Sequence, residues 1–196
     1  MRDRANVNFE WSLFEWACSN PSRRHEVCDR ITASEVAFAW AERWPEDKDT
    51  MRDKINTSEE AYKWADLFPE ERHMMRDLVT ESEWAYWWAD EWPEDRHIMR
   101  DRVSENEWVC KWAQTWPEDK DIMRDRITCF FWILWWAERW PEDKAILQKR
   151  ISEPKLALRW IKEIGPDPVM LEVCKKDKKI YDMVINLILQ NRENKD

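Results

Sequence analysis

The sequence predicts an all-α fold, an α-solenoid of about seven 24-residue helical hairpins that ends in a C-terminal capping helix. Proline recurs every 24 residues, at Pro21, Pro45, Pro69, Pro93, Pro117 and Pro141. Tryptophan keeps the same interval, at Trp16, Trp40, Trp64, Trp88, Trp112, Trp136 and Trp160. The chain of 196 residues contains one glycine, which argues against an all-β fold because tight strand turns need glycine.

The first helix of each predicted hairpin is amphipathic. In the fourth repeat Ala85, Trp88 and Ala89 follow the spacing i, i+3, i+4, which predicts a buried stripe. Thr80 followed by Glu83 predicts a capping box at the start of that helix. We expect helices of about 11–12 residues, which are marginal alone, so that packing between repeats supplies the stability.

Proline begins the second helix of each hairpin, at the first helical position, where its missing N–H costs nothing. In the fourth repeat Glu94 and Asp95 follow Pro93, and acidic residues stabilise a helix N-terminus. Few residues of this second helix are apolar. We therefore expect it to be mostly exposed.

Residues 1–176 are predicted to form a single continuous helical-repeat array. Gly165 and Pro166 interrupt the period near its end. Residues 177–190 are predicted to form the capping helix, with Asp177 as its N-cap, and residues 191–196 a polar tail.

One segment of the repeat carries a family resemblance. It reads Asp119-Lys120-x-Ile122-Met123-x-x-x-Ile127, followed later by Trp136-Ala137. This pattern resembles uncharacterised tandem families of 24–25-residue helical repeats, over roughly residues 3 to 165. The resemblance implies an α-solenoid and brings no activity or catalytic residue with it. The chain departs from those families by having Trp where they have Tyr or Leu.

The composition excludes several classes of protein. The net charge of −9 disfavours generic binding to nucleic acid or to an anionic membrane. The longest apolar run, Cys129–Ala137, is far shorter than the ~20 residues of a membrane span. The first residues lack the apolar core of a secretory signal, and five cysteines form no CxxC pair. We expect an intracellular, cytoplasmic protein with reduced thiols.

The sequence offers no candidate for catalysis. His25, His73 and His97 share one column of the repeat with Asp49 and Asp121, which is typical of a solvated column rather than a metal site. The carboxylates recur once per repeat, whereas a catalytic carboxylate is usually singular. We therefore expect no catalytic residue, no metal and no cofactor.

The exposed face of the first helices is more informative. One column reads Glu15, Ala39, Lys63, Trp87, Lys111, Trp135 and Arg159. Trp87, Lys111 and Trp135 alternate ring, cation and ring, which fits either a surface cation–π ladder or a binding platform. Glu83 and Glu107 lie one turn before this column. The sequence therefore predicts an acidic, Trp-rich face that suits a basic or amphipathic protein segment.

One repeat departs from the pattern. Phe130 occupies a column that other repeats fill with Ser or Asn, and Phe131 occupies the position of the capping-box Glu. Trp135 lies outside the buried stripe, and large apolar groups at surface columns mark interaction sites. Two alternatives stay open: Trp132 packs against Ile127 as a hydrophobic staple, or the C-terminal repeats cover the whole patch.

Together these features predict a non-catalytic protein–protein interaction module, or scaffold, that binds a basic or amphipathic partner or forms a homodimer. The predicted contact residues are Phe130, Phe131, Trp132, Trp135, Trp87, Lys111, Glu83 and Glu107. The alternative is an acidic nucleic-acid mimic that inhibits a DNA- or RNA-handling enzyme. Direct binding to nucleic acid or to a membrane is not expected.

Overall fold

The computed structural model describes residues 4–193, and every regular element in this range is helical, which confirms the all-α, solenoid-like fold. The α-helices are α1 (Arg4–Ser19), α2 (His25–Cys28), α3 (Ser34–Arg43), α4 (Lys48–Arg52), α5 (Ser58–Leu67), α6 (Arg72–Met75), α7 (Ser82–Glu91), α8 (Arg96–Arg100), α9 (Asn106–Thr115), α10 (Lys120–Arg126), α11 (Phe130–Arg139), α12 (Lys144–Gln148), α13 (Pro154–Glu163), α14 (Pro168–Cys174) and α15 (Lys178–Glu193).

The chain forms two compact units, Met1–Val103 and Ser104–Asp196. Over the described residues the first unit contains four hairpins, from α1–α2 to α7–α8. The second contains three hairpins, from α9–α10 to α13–α14, followed by α15. Within each unit consecutive first helices pack side by side, as α3 does against α1 and α5, and α11 against α9 and α13.

The helices of the inner hairpins are shorter than the predicted 11–12 residues. First helices such as α3 and α11 have ten residues, and second helices such as α4 have five. The second helix is short because each repeated proline opens a 3₁₀ turn, such as Pro45–Asp47, before the α-helix begins. Proline does occupy a first helical position, but that position belongs to the 3₁₀ turn and not to the α-helix.

The predicted capping boxes are wrong in register. Helix α7 begins at Ser82, and its N-cap residue, Glu81, makes no side-chain cap bond. In α5 the N-cap is Thr57, one position later in the repeat than Thr80, and its Oγ1 accepts a hydrogen bond from the Glu60 amide and donates to the Glu60 carboxylate.

In several repeats a polar residue at one position of the first helix instead accepts hydrogen bonds from the next hairpin. Ser34 Oγ accepts from the Asn56 amide at 3.1 Å, and Ser58 Oγ accepts from the Thr80 amide at 2.9 Å. Asn106 Oδ1 accepts from the Thr128 amide at 2.8 Å. In α1 the buried Glu10 carboxylate does the same for the amides of Thr32 and Ala33. The side chains of this column therefore accept hydrogen bonds from backbone amides in the loop that precedes the next first helix.

Six of the seven repeated tryptophans, from Trp40 to Trp160, are fully buried in the core of their hairpins, whereas Trp16 is half-buried. In five of them the indole Nε1 donates to the carboxylate seven residues later, at 2.9–3.1 Å: Trp40 to Asp47, Trp64 to Glu71, Trp88 to Asp95, Trp112 to Asp119 and Trp136 to Asp143. These five rings also pack on the aromatic ring four residues later, with Trp136 and Trp140 centroids 4.1 Å apart. One indole therefore ties the first helix to the start of the second.

The same carboxylates join neighbouring hairpins. Asp47 accepts from Arg24 of the preceding hairpin at 2.8 Å. Asp143 lies 3.1 Å from Arg124 Nη1 and 3.4 Å from Lys120 Nζ, both on α10. Because the carboxylate is largely buried, the indole and these cations together compensate its lost hydration.

The C-terminal end closes the second unit. Asp177 Oδ1 accepts from the Ile180 amide at 3.2 Å, so the predicted N-cap of the last helix is confirmed. Helix α15 packs on α13 and α14 and extends to Glu193, beyond the predicted end at residue 190. Residues 191–193 of the predicted tail thus belong to this helix, and residues 194–196 lie outside the described range.

The buried tryptophans give a first prediction. Trp112→Ala is expected to lower the free energy of unfolding by about 3–5 kcal/mol, because it empties the site of a fully buried ring. Urea denaturation measures this value. The same change at Trp87, whose side chain is exposed, is the matched control and is expected to cost less than about 1 kcal/mol. A cost below about 1 kcal/mol at Trp112 would show that this column is not core.

The carboxylates give a second prediction. Partial burial raises the pKa of Asp47 and Asp143, but hydrogen bonds from Trp and Arg outweigh it and leave each pKa below the usual 3.8. These groups therefore stabilise the folded state above about pH 4 and lose that contribution as the pH falls through their lowered pKa values.

Urea denaturation between about pH 7 and pH 3 is expected to show this acid-side loss of stability. Asp143→Asn is expected to reduce stability at neutral pH and to flatten the acid-side slope, because the titrating group is gone. An unchanged slope would mean that Asp143 does not contribute to it.

Candidate functional site

The four predicted aromatic residues of α11 lie on its outer side, and we call Phe130, Phe131, Trp132 and Trp135 the α11 aromatic cluster. Phe131 is 55% exposed, and the other three are half-buried. The rings of Phe131 and Trp132 meet edge to face at 5.3 Å, and those of Trp132 and Trp135 at 5.8 Å. The structure thus brings Phe131, Trp132 and Trp135 together as a chain of ring contacts.

Phe130 occupies the column in which Ser34, Ser58 and Asn106 accept hydrogen bonds from the next hairpin. A phenyl ring accepts no such bond. Instead, the guanidinium of Arg159 on α13 lies 5.9 Å from the Phe130 ring centroid. The repeat therefore gives up a structural hydrogen bond for an apolar ring. The C-terminal hairpin covers Phe130 in part but leaves Phe131 open to solvent.

Basic side chains border the cluster. Lys155, Arg159 and Lys162 are exposed and follow the spacing i, i+4, i+7, so they share one face of α13. Arg159 on the Phe130 ring places that face beside the cluster. The sequence predicts an acidic, Trp-rich face, whereas α13 places three exposed cations beside the cluster, one of which, Arg159, is paired with Glu163.

The remaining predicted residues of the second unit lie on α9. Lys111 is half-buried, and its Nζ lies 4.3 Å from the ring centroid of Trp108, three residues earlier. Glu107 is exposed in the first turn of the same helix. These two residues and Trp135 lie on the neighbouring helices α9 and α11.

In the first unit the neighbouring helices α5 and α7 carry two exposed apolar side chains together with exposed carboxylates. Trp87 is 37% exposed and Leu67 is 40% exposed. Glu83 lies one turn before Trp87, and the exposed carboxylates Asp66, Asp90 and Glu91 complete the group. We call these six residues of α5 and α7 the acidic α5–α7 surface.

Tyr62 joins α5 to α7 within the acidic α5–α7 surface. Its ring contacts Trp84 and Trp92 of the next hairpin, at 5.4 and 5.5 Å, which fixes α5 against α7. Burial raises the pKa of the Tyr62 hydroxyl, and the charges of Glu91, Asp66 and Asp90 raise it further.

The two units differ in charge. Residues 1–103 contain 15 Lys and Arg against 24 Asp and Glu, whereas residues 104–196 contain 17 of each. The whole net charge of −9 therefore belongs to the first unit. Comparing the two halves of the sequence would have revealed this asymmetry. No feature of the sequence marks Leu67 as a site residue, because single apolar residues are common on protein surfaces.

The described residues contain no group of three His, Cys, Asp or Glu side chains that could hold a metal ion. The three histidines are exposed, each on a different hairpin. Burial raises the pKa of the Cys110 thiol to about 12 and also raises that of Cys174, so both thiols stay protonated at neutral pH.

Comparisons with protein families, with curated proteins and with solved structures find no match for this chain. Among the helices described, none combines the length and the apolar character that crossing a lipid bilayer requires.

The exposure of the cluster gives a third prediction. Replacing Phe130 by Ser and Phe131 by Glu restores the residue pattern of Ser82 and Glu83. We expect the free energy of unfolding to change by less than about 1 kcal/mol, because Phe131 is exposed and Ser at position 130 regains the hydrogen-bond acceptor. Trp136→Ala on the same helix is the control and is expected to cost about 3–5 kcal/mol. A loss of several kcal/mol in the double variant would show that the cluster belongs to the core.

Proposed function

We propose that this protein is a non-catalytic protein–protein interaction module whose acidic α5–α7 surface binds a basic or amphipathic protein segment. The observation that carries the proposal is the exposure of Trp87 and Leu67 among carboxylates. Exposed aromatic side chains act as anchors in interfaces, and a polar rim around them excludes water.

The charges determine which partner fits. Asp66, Asp90 and Glu91 give the surface one sign, so it attracts lysine and arginine side chains and repels phosphate groups. An amphipathic helix fits both features, because its apolar face contacts Trp87 and Leu67 while basic side chains reach the carboxylates.

The core of each hairpin supports such a role. Trp64 and Trp88, which lie in α5 and α7, are fully buried and bonded to Glu71 and Asp95. Both helices are thereby held in place before a partner arrives. A preorganised surface loses less conformational entropy on binding, which favours affinity.

The nucleic-acid mimic remains the second candidate, and the concentration of the net charge in residues 1–103 favours it. Several carboxylates of this unit are, however, paired with cations: Asp47 with Arg24, and Glu71 with Lys48. Carboxylates paired in this way are poor substitutes for a phosphate backbone, so the protein-binding function is the better supported of the two. If the protein is a mimic, nucleic acid will displace it from its target enzyme.

A defined peptide tests the proposal. The probe is a synthetic amphipathic helix of Leu and Lys, titrated against the protein and followed by calorimetry and tryptophan fluorescence. Asp66→Lys combined with Asp90→Lys is expected to weaken binding at least about tenfold, because both attractive charges become repulsive. Trp87→Ala is expected to weaken it by a similar factor, because the central anchor is lost.

The matched control reverses two exposed carboxylates on the second helix of another hairpin, Asp49→Lys with Asp53→Lys. Within residues 4–193 the ion pairs of these two carboxylates join them only to Arg52, and exposed pairs contribute little to stability. The control is expected to bind the peptide about as the native protein does. Equal weakening by both double variants would indicate attraction to the overall charge, and no binding to any variant would count against the proposal.

A further inference from the structure

We infer that the α11 aromatic cluster and the basic face of α13 form a second interaction surface, and that its ligand is the acidic α5–α7 surface of a second copy of this chain. The contact joins two unlike surfaces, and every copy of the chain carries both of them. The inference uses the acidic surface of the proposed function, but it requires no other partner.

The first argument is the match in polarity. Phe131 and Trp135 provide an apolar centre in the second unit, as Trp87 and Leu67 do in the first. Apolar centres of this kind supply affinity when they are buried against each other.

The second argument is the opposite sign of the two borders. Lys155, Arg159 and Lys162 are exposed on one face of α13, beside the cluster. The border of the other surface consists of exposed carboxylates. Such complementarity speeds association and suppresses contacts between like surfaces.

The spacing of the charges also agrees. Lys155 and Lys162 are seven residues apart on one helix, which corresponds to about 10 Å along its axis. Asp66 and Asp90 lie on the neighbouring first helices α5 and α7, whose axes are about 8–10 Å apart when packed. Two positive charges on one surface therefore face two negative charges on the other at a similar separation.

Single-stranded nucleic acid is the other ligand that rings and basic side chains suggest. The charge balance disfavours it. Residues 104–196 have no net charge, and every copy also carries −9 on residues 1–103, which repels a phosphate backbone. A carboxylate-bordered protein surface fits this environment better.

The two functions of the acidic surface are then exclusive. A second copy and an outside partner both need Asp66, Asp90 and Trp87, so binding of one excludes the other at that surface. Self-association therefore reduces the number of acidic surfaces open to a partner, and a partner in excess is expected to dissociate the assembly.

The experiment measures the mass of the purified full chain by sedimentation velocity over increasing protein concentration. Association is expected to be stronger at low than at high salt, because salt screens exposed charges. Lys155→Glu with Lys162→Glu, and separately Asp66→Lys with Asp90→Lys, are each expected to weaken association at least about tenfold. Circular dichroism verifies that both variants are folded, as expected for substitutions at exposed positions.

Mixing the two variants is the decisive step. The first variant keeps the native acidic surface and the second keeps the native basic one, so a mixture is expected to form complexes that neither forms alone. Lys178→Glu with Lys179→Glu removes the same charge from the first turn of α15, where negative charge is tolerated, and is expected to associate like the native protein.

Three results would overturn the inference. The first is that the native protein stays monomeric up to about 1 mM. The second is that the two variants fail to associate on mixing while native association persists. The third is that the protein binds a single-stranded oligonucleotide through Lys155 and Lys162 without self-association. None of these results depends on the Leu–Lys peptide. The peptide titration therefore tests the proposed function separately.

Discussion

The hydrogen bond from a buried indole to a buried carboxylate is the interaction on which the rest of this structure depends. A carboxylate loses its hydration on burial, and this is tolerable only where donors and cations replace the water. Here Trp136 of the same hairpin and Arg124 of the preceding one supply both for Asp143. One carboxylate therefore holds a hairpin closed and joins it to its neighbour, which explains why Trp, Pro and the acid recur in a fixed register.

The end of the second unit shows what happens when this interaction stops. Trp160 is fully buried, but its Nε1 has no hydrogen-bond partner among the described residues. Asp167 stands seven residues later, as the acid does in the five preceding repeats, but it caps α14 by accepting from the amides of Val169 and Met170. Gly165, at φ 117°, redirects the chain between them. An unsatisfied donor costs about 1–3 kcal/mol, so the last hairpin relies more on packing against α15.

A core that repeats leaves the surface free to vary. Because the buried column is the same in each hairpin, the exposed columns carry different residues without disturbing it, and Phe130 even replaces a hydrogen-bonding residue. In the first unit exposed carboxylates lie on the same helices as Trp87 and Leu67. In the second unit aromatic rings lie beside Lys155 and Arg159. The properties that distinguish the surfaces are thus separate from those that hold the fold together.

The periodicity of Trp and Pro was sufficient to predict the all-α hairpin fold, the buried tryptophans and the cap at Asp177, because local spacing determines helical faces and ends. It also identified the α11 aromatic cluster, since a departure from a repeat is visible in sequence. The partner of Trp136 Nε1, the bond from Ser58 to the next hairpin and the basic border around Phe130 were decided only by tertiary structure. Each joins groups from different turns or hairpins, and their approach depends on how helices pack rather than on the spacing within any one of them.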